Sequence, residues 1–138
     1  MKRLTKIGLL IVVILAPFTS CKKEASTTTT YTVVYKVTWP ATVQQGLSNI
    51  ITYTNSSGNP QPVTILPGTS WTQTVVFPNA SSAIGIALEA SLSTALPTGN
   101  STCNVKIYVN GVLKSQNSST GSIDDTVDIF VVAASYVL

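Results

Sequence analysis

The sequence predicts an all-β protein that folds as a β-sandwich of about seven or eight antiparallel strands. Charged residues make up only 9% of the chain, and Thr, Ser, Val and Ile are abundant, a mixture that favours sheets over helices. Apolar and polar residues alternate in several segments, and turn-forming residues interrupt them about every 8–12 residues. A small closed barrel is the alternative, because one sequence does not reveal whether a sheet closes.

Residues 1–20 are predicted to be a secretory signal peptide. Lys2, Arg3 and Lys6 precede an apolar run over residues 7–16, which is the usual order of such signals. The run has about ten residues, whereas a membrane-spanning helix needs about 20, so we expect this segment to be translocated and cleaved. An uncleaved membrane anchor is the alternative.

Cys21 stands at the first position after the predicted cleavage site, behind Thr19 and Ser20. This arrangement resembles the lipobox of bacterial lipoproteins, although Phe18 occupies a position where leucine is most common. The resemblance implies a diacylglycerol on the Cys21 sulfur and an acylated amino terminus, and two or three acyl chains hold a protein on its bilayer. Residues 22–24, Lys-Lys-Glu, are similar to export signals of surface lipoproteins, which favours the outer membrane and leaves its face open.

Residues 21–30 are interpreted as a lipidated Ser/Thr-rich tether, and residues 31–138 as the sandwich domain. The run 25–30 has too little apolar surface to offset the entropy cost of ordering it. A first strand that extends back into this run is the alternative, because threonine is common in strands.

The charge balance excludes a nucleic-acid-binding surface. Lys2, Arg3 and Lys6 leave with the signal, so five of the eight basic residues remain against five acidic ones. A domain without net positive charge lacks the electrostatic footprint that draws a polyanion.

The first predicted strand covers residues 31–39 and ends at Pro40. Its alternate residues share one face, which we expect to be buried: Tyr31, Val33, Tyr35, Val37 and Trp39. Residues 50–54 form the next predicted strand, followed by a turn over residues 55–60. Two further strands, residues 63–66 and 71–77, each stop at a proline.

The second half of the chain alternates more strictly. Residues 84–93 form one predicted strand, with the even-numbered residues on its apolar face. Residues 103–109 and 112–114 flank Asn110-Gly111, which predicts a type I′ hairpin because both residues tolerate positive φ. Residues 115–126 are predicted to be a polar loop. The last strand, Val127–Val137, is so apolar that we expect much of it to be covered on both faces.

Several segments, taken in order, resemble the MmpS-like (mycobacterial membrane protein small) family. They are VVYKV at residues 33–37, ITYTNSSG at 51–58, LP at 66–67 with Trp71 nearby, CNVKIYVNG at 103–111 and NSSTG at 117–121. The resemblance spans most of residues 31–132. It implies an immunoglobulin-like sandwich and a membrane-tethered accessory module, which in that family assists a lipid-exporting transporter.

This chain departs from the family in three ways that affect the expectations. Family members often carry a second cysteine in the last strand, whereas this chain has none there, so Cys103 should be an unpaired thiol. The family tends to use an N-terminal membrane helix, whereas this chain is predicted to use lipid. Trp71 also lies farther from Leu66-Pro67 than is usual in the family.

The sequence offers little catalytic chemistry, and we expect a non-enzymatic protein without a cofactor. Histidine is absent, which removes the commonest general base and metal ligand. Cys103 shares a face with Val105 and Ile107, so a buried, inert thiol is favoured over a nucleophile. Asp124, Asp125 and Asp128 lack the spacing of an EF-hand. A solvated loop is therefore favoured over a calcium site or a glycosidase pair.

Two functions lead the hypotheses, and a hydrolase that uses the Asp cluster is a third. The first is a lipid-anchored envelope lipoprotein whose sandwich acts as an accessory or interaction module for an envelope protein, such as a transporter. The second is a surface glycan-binding module, in which Tyr53, Trp71 and Tyr108 stack on sugar rings and Asn-rich loops donate hydrogen bonds. Packing in the core or at a sheet edge is the competing role for Trp71.

Overall fold

A computed structural model describes residues 29–40, 49–65, 68–80, 83–95, 102–120 and 127–138. Within these ranges the chain forms eight strands and contains no helix. The strands are β1 (Thr29–Thr38), β2 (Ile50–Thr54), β3 (Pro60–Thr64), β4 (Ser70–Ala80), β5 (Gly85–Ala95), β6 (Thr102–Val109), β7 (Val112–Thr120) and β8 (Val127–Val137).

The strands form two four-stranded sheets, sheet I in the order β4-β1-β6-β7 and sheet II in the order β3-β2-β5-β8. All pairings are antiparallel. Only the hairpins β2–β3 and β6–β7 stay within one sheet, and the other consecutive strands lie in different sheets. The predicted β-sandwich of about seven or eight antiparallel strands is confirmed, and two separate sheets replace the single closed sheet of the alternative.

The core lies between the sheets and is built from alternate residues of both sheets, those of the edge strands β4 and β8 included. Sheet I contributes Val33, Tyr35, Val37, Val75, Phe77, Cys103, Val105, Ile107 and Val109. Sheet II contributes Ile51, Ile86, Leu88, Ala90, Leu92, Phe130, Val132 and Ala134. Trp39, just beyond β1, is 3% exposed, so the expected burial of this tryptophan is confirmed. Burial of a branched or aromatic side chain is worth about 1.5–3 kcal/mol, which explains why the alternation predicts this face.

Two strands begin two or three residues earlier than the sequence predicted. Strand β1 starts at Thr29, so Thr29 and Thr30 belong to the sheet and not to the tether. Strand β3 starts at Pro60, inside the predicted turn, and ends at Thr64. Pro60 and Pro62 are tolerated because β3 pairs only with β2 and is an edge strand, where a missing backbone donor can face away from the ladder.

The predicted polar loop over residues 115–126 is wrong for its first half. Strand β7 continues to Thr120 and pairs with β6 from Val112 to Thr120. Its side chains are polar because β7 is an edge strand and most of them are exposed. Alternation cannot reveal such a strand, since it buries little apolar surface and depends on the backbone ladder with β6.

The hairpin at Asn110-Gly111 is confirmed, and it has an additional role. Asn110 has φ 50° and Gly111 has φ 80°, as a type I′ turn requires. The Asn110 backbone N–H donates to the Thr32 carbonyl oxygen at 2.8 Å. The Thr32 N–H donates to the Asn110 side-chain oxygen at 2.9 Å. The turn residue therefore also pairs with the start of β1.

Candidate functional site

The structure brings two of the three predicted ligand-contact residues together. The rings of Tyr53 and Trp71 lie 5.6 Å apart at a tilt of 47°, and Tyr53 also lies 5.5 Å from the ring of Tyr35. Tyr53 and Trp71 occupy inward-facing positions on opposite sheets, and both are half-buried against the core. This geometry is that of a packed aromatic cluster, with contacts of about 0.5–1.5 kcal/mol per pair beyond area burial.

Tyr108 lies on a different surface. It occupies an outward-facing position of β6, beside Val34 of β1 and Leu113 of β7, and it is half-buried. Sheet I therefore separates Tyr108 from the Tyr53–Trp71 pair, and the three aromatic residues do not form one stacking platform.

The outer face of sheet I carries two lysines side by side, which sequence reasoning missed. Lys36 of β1 is the direct cross-strand neighbour of Lys106 of β6, and residues directly opposite have Cβ atoms about 4.5–5.5 Å apart. Thr72 flanks the pair on β4 and Gln116 flanks it on β7. No acidic residue occupies this face among the residues that the structure describes. We call Lys36 and Lys106 the lysine pair.

A shallow depression of about 280 Å³ adjoins the lysine pair. It is lined by Asn104, Lys106, Gln116, Asn117 and Ser118. We call it the polar depression. Asn117 lies opposite the inward residue Val105, and its side chain faces sheet II: its amide nitrogen donates to the Ala133 carbonyl oxygen at 2.9 Å, and its side-chain oxygen accepts from the Ser118 N–H at 2.9 Å. The remaining amide, hydroxyl and ammonium groups provide both donors and acceptors to solvent.

The outer face of sheet II has the opposite character. Ile129, Val131 and Val137 of β8 are 68%, 61% and 60% exposed, so the expectation that β8 is covered on both faces is wrong. The reason is that only the inward residues of β8 meet the other sheet, and none of the described elements covers the outer face of sheet II. We call these three residues the apolar stripe.

The neighbours of the apolar stripe leave it raised above the sheet. Val137, Val131 and Ile129 lie opposite Gly85, Ser91 and Ser93 of β5, all of them small. Between them, Glu89 lies opposite Ala133 and is exposed. The surface therefore combines three large apolar side chains with small residues, among them the exposed Ser135, and has one acidic side chain near its centre.

The free edge of β8 is partly occupied by β7 of the other sheet. Asn117 bonds to the Ala133 carbonyl oxygen across this gap. Nearby, the Lys114 ammonium lies 5.8 Å from the centre of the Tyr136 ring, within the range of a cation–π contact. A ligand that added a strand at this edge would displace the Asn117 bond, which disfavours binding by strand addition.

Cys103 is a free thiol buried in the core, as its alternation predicted. Burial raises the pKa of this thiol from its ordinary value of 9.0 to about 11, because the apolar surroundings disfavour the thiolate. A neutral, enclosed thiol is a poor nucleophile.

Some predicted sites fall outside the structural description. Residues 1–28, with Cys21, are outside the described residues, as are Asp124 and Asp125. Asp128 belongs to β8, but its side chain is not described. Across the described ranges, no three His, Cys, Asp or Glu residues are grouped as metal ligands. The same part of the chain has no helix with the length and hydropathy to cross a membrane.

Comparisons of the sequence with known proteins found no matching family model and no similar curated protein.

Proposed function

We propose that this protein is a non-enzymatic lipoprotein of the cell envelope, most consistent with the outer membrane. It is anchored through Cys21, and its sandwich docks an envelope protein as an accessory module. The observation that supports docking is the apolar stripe. Exposed apolar surface with polar surroundings is typical of protein–protein contact sites. Val76, Val112 and Leu113 of sheet I are also exposed, at 48%, 56% and 41%, but each of them less than the three residues of the apolar stripe.

The chemistry of the face defines the partner. A complementary surface would be apolar, to cover Ile129, Val131 and Val137, and would carry a cation opposite Glu89. A second copy of the same face is disfavoured. Stacking two such faces about a two-fold axis would bring the two Glu89 carboxylates close to each other, and these like charges repel. The resemblance to the MmpS-like family points to a transporter as the partner.

Site-specific photo-crosslinking in intact cells tests the docking proposal. A photoreactive residue at Val131 should give one discrete adduct with another protein. The matched control is Thr72, which is also exposed and outward-facing but lies on sheet I, and it should give none. With the photoreactive residue at Ile129 instead, the substitution Val131→Asp should abolish the adduct, because it places a charge in the apolar contact. The substitution should leave the fold intact, because Val131 is exposed. Adducts with lipid alone, with a second copy of the chain, or equally at Thr72 would refute a protein partner for this face.

Mass spectrometry of the native product tests the anchor. The expected amino-terminal peptide begins at Cys21 and carries a diacylglycerol thioether and an acylated amine. Density-gradient separation of membranes should place the protein with the outer membrane. An unmodified Cys21 sulfhydryl, or a product released into the medium, would contradict the anchor.

Glycan binding is the second candidate function, and a specific observation favours it. The polar depression offers amide, hydroxyl and ammonium groups within one surface concavity. The aromatic residues predicted to stack on sugar rings do not form a common binding surface, because Tyr53 and Trp71 pack between the sheets. A glycan array probed with the full chain tests this candidate, and binding lost in Asn104→Ala would support it.

A further inference from the structure

We propose that the outer face of sheet I is a binding site for acidic sugars, with the lysine pair holding the carboxylate and the polar depression holding the ring hydroxyls. This inference rests on the second candidate function, glycan binding, and is independent of docking at the apolar stripe. It names the class of glycan and the residues that select it.

The first step concerns the lysine pair. Like charges placed directly opposite on neighbouring strands are destabilising, by an amount similar to the 0.2–1 kcal/mol that favourable pairs contribute. Lys36 and Lys106 are such a pair, and no acid on the described part of this face offsets them. An anion placed between the two ammonium groups would remove the repulsion and form charge-assisted hydrogen bonds with both.

Amide and hydroxyl side chains lie beside the lysine pair. Asn104 and Ser118 are cross-strand neighbours, as are Lys106 and Gln116. The four side chains form a two-by-two block on β6 and β7. Asn and Gln amides present a donor and an acceptor side by side, which matches the vicinal hydroxyls of a sugar ring. A bare phosphate or sulfate would use the lysines and leave these amides without a role.

The volume of the polar depression fits a small ligand. The depression of about 280 Å³ lies just below the range of about 300–1,000 Å³ that holds drug-sized ligands. It therefore suits one sugar ring, while the rest of a glycan would extend over the sheet. Asn104, Lys106 and Tyr108 are successive outward positions of β6. The half-buried ring of Tyr108 therefore lies on the side of Lys106 opposite to Asn104.

Strand β7 is anchored under the site from the inner side of sheet I. Asn117 lies opposite Val105, an inward position, and its amide nitrogen donates to the Ala133 carbonyl oxygen of sheet II. A strand held in this way loses less conformational freedom when a ligand binds to its outer face.

The test is a binding titration of the full chain in detergent against three matched probes. These are a uronic-acid oligosaccharide, its methyl-esterified neutral form, and inorganic phosphate. We expect the uronic-acid form to bind at least tenfold more tightly than the ester, with an affinity that falls as salt rises. Lys106→Gln should weaken this binding about tenfold or more, the loss of one charge-assisted hydrogen bond, and Lys36→Gln should weaken it severalfold.

Lys114→Gln is the matched control, because it removes the same charge from the exposed lysine near Tyr136. It should change the affinity less than twofold. Without ligand, Lys36→Gln should raise the thermal midpoint, whereas Lys114→Gln should not, and this measurement does not depend on the choice of sugar.

The outcomes separate the two proposals. Equal binding of the ester, or an unchanged affinity in Lys36→Gln and Lys106→Gln, would overturn the acidic-sugar site and leave glycan binding standing. Binding of phosphate with no preference for a sugar would overturn the role of the amides. No binding to any acidic or neutral glycan on an array would overturn both proposals.

Discussion

The hydroxyl group of Tyr35 donates a 2.9 Å hydrogen bond to the carbonyl oxygen of Thr54, which joins the two sheets through the core. Tyr35 lies on β1 of sheet I and is fully buried, whereas Thr54 ends β2 of sheet II. Burial raises the pKa of the Tyr35 phenol well above its ordinary value, because the apolar core disfavours the phenolate. The hydroxyl therefore remains a donor at neutral pH.

Tyr35→Phe should lower the free energy of unfolding by about 1–2 kcal/mol, because it removes a buried hydrogen bond and leaves the Thr54 carbonyl without this donor. Urea denaturation of the two proteins measures the difference. Tyr53→Phe is the control: it keeps the neighbouring ring contacts, and the Tyr53 hydroxyl makes no bond within the described residues. It should change the stability by less than about 0.5 kcal/mol. Equal losses in both variants would contradict the role of the Tyr35 hydroxyl.

Thr94→Val should stabilise the protein by about 1 kcal/mol. Thr94 is fully buried, and its hydroxyl oxygen has no hydrogen-bond partner among the described residues. Valine has nearly the same shape as threonine and replaces this unpaired hydroxyl with a methyl group. The same substitution at Thr54 should destabilise by about 1–3 kcal/mol, because the Thr54 hydroxyl accepts from the Ala87 N–H at 2.9 Å. Thermal denaturation of the two variants should therefore give shifts of opposite sign. A lower midpoint for Thr94→Val would refute the prediction.

The stability should fall in mild alkali because of Cys103. The thiol ionises near its ordinary pKa of 9.0 in the unfolded chain and near a pKa of 11 in the folded protein. Its contribution to the free energy of unfolding is therefore fully present below pH 9. Between pH 9 and pH 11 this contribution is lost, which lowers the free energy of unfolding by about 1–3 kcal/mol. Urea midpoints at pH 8, 9 and 10 measure the slope. Cys103→Ala should flatten the slope between pH 9 and 10, and an equally steep loss in that variant would assign the effect to other groups.

Thiol titration checks both cysteines of the native product. Cys103 should not react with an aromatic disulfide reagent at pH 7.5 in the folded protein, because it is buried and neutral. After denaturation one thiol per chain should react if Cys21 carries lipid. Two reactive thiols would argue against acylation, and rapid reaction of the folded protein at Cys103 would contradict its burial.

Gly111→Ala should cost about 1 kcal/mol. Gly111 has φ 80° and no atom lies within 4 Å of an added Cβ, so the cost comes only from the left-handed backbone. Gly85→Ala is the control, since this glycine of β5 is equally unobstructed and its φ is not positive. It should be neutral or stabilise by a few tenths of a kcal/mol. Equal effects at the two glycines would show that the turn geometry does not limit the substitution.

Local signals in the sequence were sufficient for the core strands and the hairpin. Val33, Tyr35 and Val37 are buried as their spacing predicts, because burial of apolar surface dominates where a strand has one face inside. Asn110-Gly111 forms its turn because both residues accept positive φ. Two edge strands were predicted less well: β3 begins among prolines and β7 is mostly polar, since neither depends on apolar burial.

The sequence by itself determined the all-β class, the inward face of the central strands, and the lipoprotein signal that remains a prediction about residues 1–21. Tertiary structure decided which residues of different strands become neighbours. Lys36 and Lys106 lie 70 residues apart in the chain and meet only through the β1–β6 register. The exposure of Val131 follows from the two-layer arrangement, in which none of the described elements covers the outer face of sheet II. Periodicity records which face of a strand a residue occupies, but long-range pairing sets which strand lies beside it and whether anything covers that face.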